Sequence, residues 1–504
     1  MYISSLTILF LHSLLYNYSD GDEYMKKLNE LYEGYPEIEI KDIKINSKEI
    51  NPGDIFVCTM GVTADRHDFI DSAIENGASA IVVSRDVEAS VPVIKVENTN
   101  DELPKLCAKF YDYPETKLNM IGITGTDGKT SVATITQTLL GNDICGYIGT
   151  NGRSCSAFNK DTNNTTPDSD KLYGYLDEFV KAGCNTVAME TSSEAFYRKR
   201  LTGISYKIGA ITNITKEHLN IHGSYENYID CKCQLFKQIR SDGFAILNKD
   251  DELYETVKSN CNCNIYTYGK TNDNTLWIKD FTVRPDKTII TYCYNEKDYN
   301  IISPLLGDFN VYNLACAILI CIAQGKTMEE IIPNIDKLFI SGRLDMLPNI
   351  GQNFYVMIDY AHTPNGISKL LNFVHTLDIN RSIVVIGSAG ERDYLKRPLM
   401  GKTVVDNASY AIFTYEDPRS EEPIDIINMM TSEIEDTSKY EIVIDRSMAI
   451  KKAIDMAGEK DIVLVLGKGS ETYQKLKNET IYFNDIEEAR KHLEARLERE
   501  KINV

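Results

Sequence analysis

Short apolar runs alternate with stretches of helical periodicity along most of the chain, and glycine, proline or polar clusters close each run. Runs at 54–58 (DIFVC) and 80–84 (AIVVS) predict buried strands, and 67–76 between them predicts a helix stopped by Gly77. The polar tract 111–117 (YDYPETK), which contains Pro114, breaks the alternation and is expected to be a linker. A strong strand signal follows at 118–124 (LNMIGIT), with others at 186–189, 208–214 and 244–247. After Gly342 and Arg343 the alternation resumes, with strands expected at 355–358, 382–386, 410–414 and 461–466. A charged amphipathic helix over 485–500 closes the pattern. Continuously apolar strands separated by helices imply parallel sheets with helices on their faces, so the expected fold class is α/β.

Length then divides the pattern. At roughly 150 residues per domain, 504 residues suggest about three domains, each able to bury its own core. The breaks place them at 25–114, 115–343 and 344–504. Residues 1–24 are expected to be an extension that adds nothing to the fold. Their apolar stretch, 6–15 (LTILFLHSLL), is shorter than the ~20 residues that span a bilayer and lacks a basic leader. Met25-Lys26-Lys27-Leu28, by contrast, has the form of a conventional start. No integral membrane segment is expected.

Charge narrows the partners. With 54 basic against 74 acidic side chains, net −20, the balance argues against a broad nucleic-acid or anionic-membrane surface. An anionic small molecule remains admissible, because a pocket can be basic on an acidic protein. The 12 cysteines are scattered without a C-x-x-C. Two C-x-C pairs, Cys231/Cys233 and Cys261/Cys263, have no partner cluster at metal-site spacing. Reduced thiols in a cytoplasmic protein are therefore expected.

The strongest chemical signal is Gly125-Thr126-Asp127-Gly128-Lys129-Thr130-Ser131, set between a strand and a helix. Glycines let backbone N–H groups close around phosphate oxygens, and the helix N-terminus adds its positive end. Lys129 would neutralise the β/γ-phosphates, and the Thr130 hydroxyl can ligate Mg²⁺. Glu190 ends the strand 186–189, the position from which a neighbouring parallel strand delivers an acid to a nucleotide. His218 and His222 lie four apart, but Asn220 and Gly223 oppose a regular helix, so no zinc site is expected. Lys232 alone has the look of a solvated lysine. Four polar loops follow the four C-terminal strands: Asp359–Pro364, Gly387–Asp393, Glu416–Arg419 and Gly467–Glu471. That is the arrangement of a ligand-binding rim at the carboxyl edge of an open α/β sheet.

In their order along the chain, these motifs resemble the Mur ligases, ATP-dependent amide-forming enzymes of peptidoglycan assembly, from about Met25 onward. The resemblance implies an N-terminal UDP-binding α/β domain, a central P-loop parallel-sheet ATPase and a Rossmann-like C-terminal domain. It is closest to the branch that joins a diamino acid to UDP-N-acetylmuramoyl-L-alanyl-D-glutamate through an acyl phosphate. ATP is then a substrate and Mg²⁺ the cofactor; small molecules are the partners, and a monomer is expected.

Matched by motif, the ATP site would comprise residues Gly125 to Ser131 with Asn310, Arg343, Asp359 and His362. Ser47, Thr165, Thr166, Ser192, Arg198 and Arg200 would hold the UDP-muramoyl peptide. Thr130, Glu190, His218 and Lys232, the last as a carbamate, would bind metal, and Lys129, Glu190, His218 and Lys232 would carry catalysis. Arg392, Glu416, Asp417, Pro418, Arg419, Gly467 and Glu471 would form the amino-acid pocket. Arg419 can pair bidentately with the distal carboxylate of meso-diaminopimelate, which L-lysine lacks, so diaminopimelate is favoured over lysine.

The chain departs from the family pattern in several places. Asp127 stands where asparagine is usual, Glu194 for histidine, Glu217 and Asn220 for aspartates, Asp417 for asparagine and Ser470 for histidine. Rival expectations are a paralogous ligase with another amino acid or acceptor, and an ATP-binding Mur-like regulator without catalysis.

Overall fold

The computed structural model describes residues 25–502 apart from 62–63, 163 and 285–286. The expected extension 1–24 lies outside the described residues. Two compact units emerge: residues up to Pro114 with Asp168–Asp177 and Lys199–Gly203, and all the rest.

The first unit holds a parallel sheet with strands Ile43–Lys44, Ile55–Val57, Ala80–Val83 and Val93–Lys95 in sequence order. The helix expected over 67–76 starts as a tight 3₁₀ turn, Arg66–Phe69, and becomes α only at Ile70–Glu75. The Asp65 carboxylate explains the tight start: it accepts from the His67 backbone N–H at 3.0 Å and meets the His67 ring at 2.6 Å. Lys171 of the segment Asp168–Asp177 pairs with Glu49 at 2.8 Å.

In the second unit, the central strand Asn119–Thr124 lies between the parallel strands Thr186–Glu190 and Tyr206–Ile211. All three are almost wholly buried, which is why they are continuously apolar. Among the described residues this sheet has 11 strands. Its antiparallel margins, Gly152–Cys155 with Phe158–Lys160 and Leu276–Val283 with Thr288–Tyr294 and Lys297–Ser303, were not foreseen. The outer strands face water on one side and so carry too few apolar residues to stand out in the sequence. The helix Lys129–Leu140 and the apolar helix Asp308–Ala323 share the core with this sheet. Among the described residues no single helix is long and apolar enough to cross a membrane.

The C-terminal sheet runs Asp345–Met346, Tyr355–Asp359, Ile462–Leu466, Ser382–Ile386, Tyr410–Phe413 and Tyr440–Ile442, parallel after the first strand. The chain leaves Tyr355–Asp359, skips one place, builds outward, and returns to insert Ile462–Leu466 into the gap. That reversal opens a crevice beyond the carboxyl ends of the central strands. All four polar loops follow strands of this sheet at that edge. Behind it, Arg446 and Asp485, both with fully buried side chains, form a bidentate pair at 2.6 and 2.8 Å. Arg446 also donates to the Leu466 carbonyl at 2.9 Å, at the start of the Gly467–Glu471 loop.

Candidate functional site: a phosphate loop facing a charged crevice

The phosphate loop owes its shape to two glycines. Gly125 has φ +144°, and a Cβ there would strike the Thr212 hydroxyl; Gly128, φ +86°, starts the helix Lys129–Leu140 and would meet Asn313 Oδ1 at 2.6 Å. The loop is braced from the next strand's end: Thr212 Oγ1 donates to the Asp127 carbonyl at 2.5 Å, and Asn213 Oδ1 accepts from the Asp127 N–H at 3.1 Å. Lys129 lies over the loop, donating to the Gly125 and Thr126 carbonyls at 2.9 Å each. Thr130 and Ser131 are buried in the first helical turn.

Glu190 ends the adjacent strand with no exposed surface. Its carboxylate accepts from Thr130 Oγ1 at 3.0 Å, Tyr147 OH at 2.7 Å and the Thr150 N–H at 2.9 Å. Among the described residues it has no cationic partner. A buried carboxylate held only by neutral donors is stable next to a cation, and its neighbour is the phosphate-loop hydroxyl. No group of three or more His, Cys, Asp or Glu among the described residues forms a ready cation cage. A magnesium ion that shares its shell with phosphates and water needs only one or two protein ligands, so Glu190 with Thr130 fits it.

Lys232 overturns the expectation of a solvated lysine. It is 2% exposed, donates to the same Gly125 carbonyl at 2.7 Å, and lies 4.5 Å from the centre of the Tyr228 ring. Burial, and then the nearby Lys129 charge, pushes its pKa well below the usual lysine range. His218 has a left-handed backbone, φ 57°, at the start of a short helix Leu219–His222. The His218 ring is only half-buried, and the desolvation it undergoes, then Lys129 and Lys232, lower its pKa below the usual histidine range, so its ring is neutral. His222 lies elsewhere, its Nε2 3.1 Å from Ser193 Oγ.

The T-T-P and M-E-T-S-S segments meet. Thr166 Oγ1 donates to the Glu190 carbonyl at 2.8 Å and accepts from the Ser192 N–H at 3.0 Å; Thr165 Oγ1 lies 3.0 Å from Thr150 Oγ1. Ser192 caps the helix Ser193–Tyr197, and Arg198 pairs with Glu194 at 2.7 Å. Ser47 and Arg200 belong to the first unit: Ser47 is buried in the turn Ser47–Glu49, and Arg200 is paired with Asp168.

The C-terminal segment reaches the loop through Arg343, whose Nη2 donates to Thr130 Oγ1 at 3.2 Å while its guanidinium lies 4.2 Å from the Tyr360 ring centre. The Asp359 carboxylate holds the Leu344 and Ala361 N–H groups at 2.7 and 2.8 Å, and His362 Nδ1 lies 2.8 Å from the Tyr360 carbonyl. Asn310 is turned inward, donating to the Leu306 carbonyl and accepting from Asn313, which backs Gly128.

In the crevice, Lys468 has a fully buried side chain and bridges Asp417 at 2.9 Å and Glu471 at 2.8 Å. Tyr360 OH donates to Glu471 Oε1 at 3.2 Å. Glu416 is buried against Gly467, where a Cβ would lie 2.7 Å from its Oε2. Burial, resisted by Lys468, pushes its pKa up to about 7. Gly390 closes on the Pro418 carbonyl, Arg419 is half-buried, and Arg392 is exposed.

Three family models match the chain: the Mur ligase family catalytic domain at 39–116, the Mur ligase middle domain at 123–321, and the Mur ligase glutamate ligase domain at 342–469. The chain belongs to the Mur ligase family. Across the family its chemistry is ATP-dependent amide-bond formation. A curated relative from Bacillus licheniformis, UDP-N-acetylmuramoyl-L-alanyl-D-glutamate–2,6-diaminopimelate ligase, is 36% identical over 477 residues, 93% of this chain and 97% of its own. A solved structure of an enzyme with that name superposes with a TM-score of 0.64 at 25% identity, covering 94% of this chain and 99% of that one. MurF ligase from Thermotoga maritima in complex with ADP shares the fold, with a TM-score of 0.63 at 19% identity, covering 91% and 98%.

Motif matching missed the residues that support this Mur ligase site. Tyr147 and Thr150 hold Glu190, Thr212 and Asn213 brace the loop, and Lys468 neutralises Asp417. Several departures from the family pattern have local partners. Asp127 accepts from Asn365 Nδ2 at 3.2 Å, Ser470 donates to Asn151 Oδ1 at 2.8 Å, and Glu217 lies 3.6 Å from His218 and 3.9 Å from Lys396. Only the Lys468–Asp417 contact had a sequence signal, since both lie in loops already assigned to the rim.

Proposed function

We propose that this chain joins meso-diaminopimelate to UDP-N-acetylmuramoyl-L-alanyl-D-glutamate at the expense of ATP, in peptidoglycan assembly. The observation that carries the assignment is the relay Arg343–Thr130–Glu190, with donor–acceptor distances of 3.2 and 3.0 Å. It links the phosphate loop, the buried carboxylate and the segment leading to the amino-acid crevice. The relatives' shared name supports the choice of substrates.

In the first step a substrate carboxylate oxygen attacks the γ-phosphorus of ATP, and ADP leaves, giving an acyl phosphate. Lys129 is within reach of the charge that builds on the transferring group, and the loop N–H groups hold the phosphates. In the second step the amine of the diamino acid attacks the acyl carbon, phosphate leaves, and the amine loses a proton. Arg343 keeps the crevice against the nucleotide site so that amine and acyl phosphate can meet and water is kept out. Mg²⁺, held by Glu190 and Thr130, would neutralise phosphate charge; His218 and Lys232 as a carbamate would supply a second set of ligands. The buried amine of Lys232, its pKa lowered by burial and by Lys129, suits carbamate formation, which adds CO₂ to the nitrogen and releases one proton. Ser47 is proposed for the uridine end, Ser192 for the sugar, Thr165 and Thr166 for the muramoyl peptide, and Arg198 and Arg200 for the same UDP-muramoyl substrate.

Phosphate release from ATP should require both the UDP-muramoyl dipeptide and one diamino acid, with meso-diaminopimelate used in preference to L-lysine and ornithine. Lys129→Ala should abolish it with an unchanged circular dichroism spectrum. Turnover retained in that variant, or phosphate release independent of the UDP substrate, would refute the assignment.

A further inference from the structure

We infer that Lys475, together with Arg419 and Arg392, forms a cationic hollow that takes the distal carboxylate of the diamino acid, making Lys475 a specificity-determining residue of this enzyme. The inference rests on the ligase assignment above and deepens it.

Lys475 ends the strand Tyr473–Lys475 of a small hairpin with Thr480–Tyr482. That strand is clamped to the Glu416–Arg419 loop at three points. Gln474 Nε2 donates to the Glu416 carbonyl at 2.7 Å, the Arg419 N–H donates to the Lys475 carbonyl at 3.0 Å, and the Lys475 N–H donates to Asp417 Oδ1 at 3.2 Å. Gln474 is fully buried, so the two segments form one wall of the crevice. Tyr473 and Lys475 share a face of the strand, and the Lys475 ammonium lies 4.9 Å from the Tyr473 ring centre.

The charges in this wall are sorted. Asp417 and Glu471 are both taken by Lys468. Among the described residues, Arg419, Arg392 and Lys475 make no ion pair. The Arg419 Nε is buried and has no hydrogen-bond partner among them. Burial first, then Arg419, depresses the pKa of Lys475, with Arg392 acting in the same sense and Asp417 and Glu471 against it. Clustered cations without a bound anion repel one another, and a carboxylate between them relieves that repulsion. Asp417 cannot hold a substrate carboxylate itself, being an acceptor only, and its Oδ1 is already turned to Lys468 and the Lys475 N–H.

The hollow also discriminates. Diaminopimelate carries a carboxylate on its distal carbon, whereas L-lysine carries only an ammonium there. The same three cations that hold the first repel the second, so attraction and rejection come from one feature.

The test compares wild type, Lys475→Met and Lys475→Arg in steady-state phosphate release with ATP and the UDP-muramoyl dipeptide saturating. Lys475→Met should raise KM for meso-diaminopimelate by about tenfold or more, with kcat nearly unchanged. Its kcat/KM for L-lysine should stay the same or rise, and Lys475→Arg should restore most of the diaminopimelate KM. Lys475→Gln gives the same comparison should methionine loosen the hairpin. An unchanged diaminopimelate KM, or an equal loss with both amino acids, overturns the inference and leaves the ligase assignment standing. Wild-type protein that uses lysine but not diaminopimelate does the same. Wild-type protein that releases phosphate with neither overturns the assignment itself.

Discussion

Glu416→Gln should remove a loss of stability that develops as pH rises from about 4.5 to about 7. The Glu416 side chain is buried, its Oε2 lacks a hydrogen-bond partner among the described residues, and its folded pKa is about 7 against a reference of 4.5. As pH rises from 4.5, the unfolded chain releases this proton first, while the folded chain keeps it until about pH 7. The folded state therefore binds more protons in that window, and stability falls as pH rises through it. Fully developed above neutrality, the effect amounts to about 3 kcal/mol, from 1.36 kcal/mol per pKa unit. About 1.4 kcal/mol of it is present already at about pH 5.5, so relative to wild type the glutamine variant should gain about 2 kcal/mol between about pH 5.5 and 8. Scanning calorimetry of both proteins at those two pH values measures the difference. Parallel pH curves, or a glutamine variant that gains on the acid side, would refute a buried, proton-holding Glu416.

Two further outcomes follow from buried charges. Lys232→Ala should lose ligation, and short carboxylates such as acetate or formate should restore part of it by replacing the carbamate oxygens; no response over a concentration series counts against a carbamate. Asp485→Asn should destabilise the protein by about 3–5 kcal/mol, because it strands the buried Arg446 charge. Urea unfolding followed by circular dichroism checks this, and a loss below about 1 kcal/mol would show that the pair is dispensable.

Much of the site could be located by sequence but not described by it. The phosphate loop was legible because close approach to phosphate needs glycines and a lysine at short range, and short range is what sequence records. The parallel strands were legible because burial on both faces forces continuous apolar runs, as at Asn119–Thr124 and Ile462–Leu466. The margins of the large sheet were not, since strands such as Lys297–Ser303 alternate burial and exposure weakly. Lys232 shows the same limit for chemistry. In isolation it is an ordinary lysine, and only burial beside the Gly125 carbonyl and Lys129, both distant in sequence, takes its pKa well below the usual lysine range.

The amino-acid sequence alone determined the class of fold, the phosphate loop and the family, because periodicity and motif spacing are local properties. Tertiary structure decided which charges are free. Asp417 could have been a second anion facing a substrate carboxylate, yet Lys468, buried between Asp417 and Glu471, removes it from that role. Arg419 and Lys475 come from separate segments and are brought side by side, through the Arg419 N–H to Lys475 carbonyl bond, only after the sheet and its hairpin have formed. Electrostatic energy depends on distance through space and on burial, and the chain's order fixes neither until it folds.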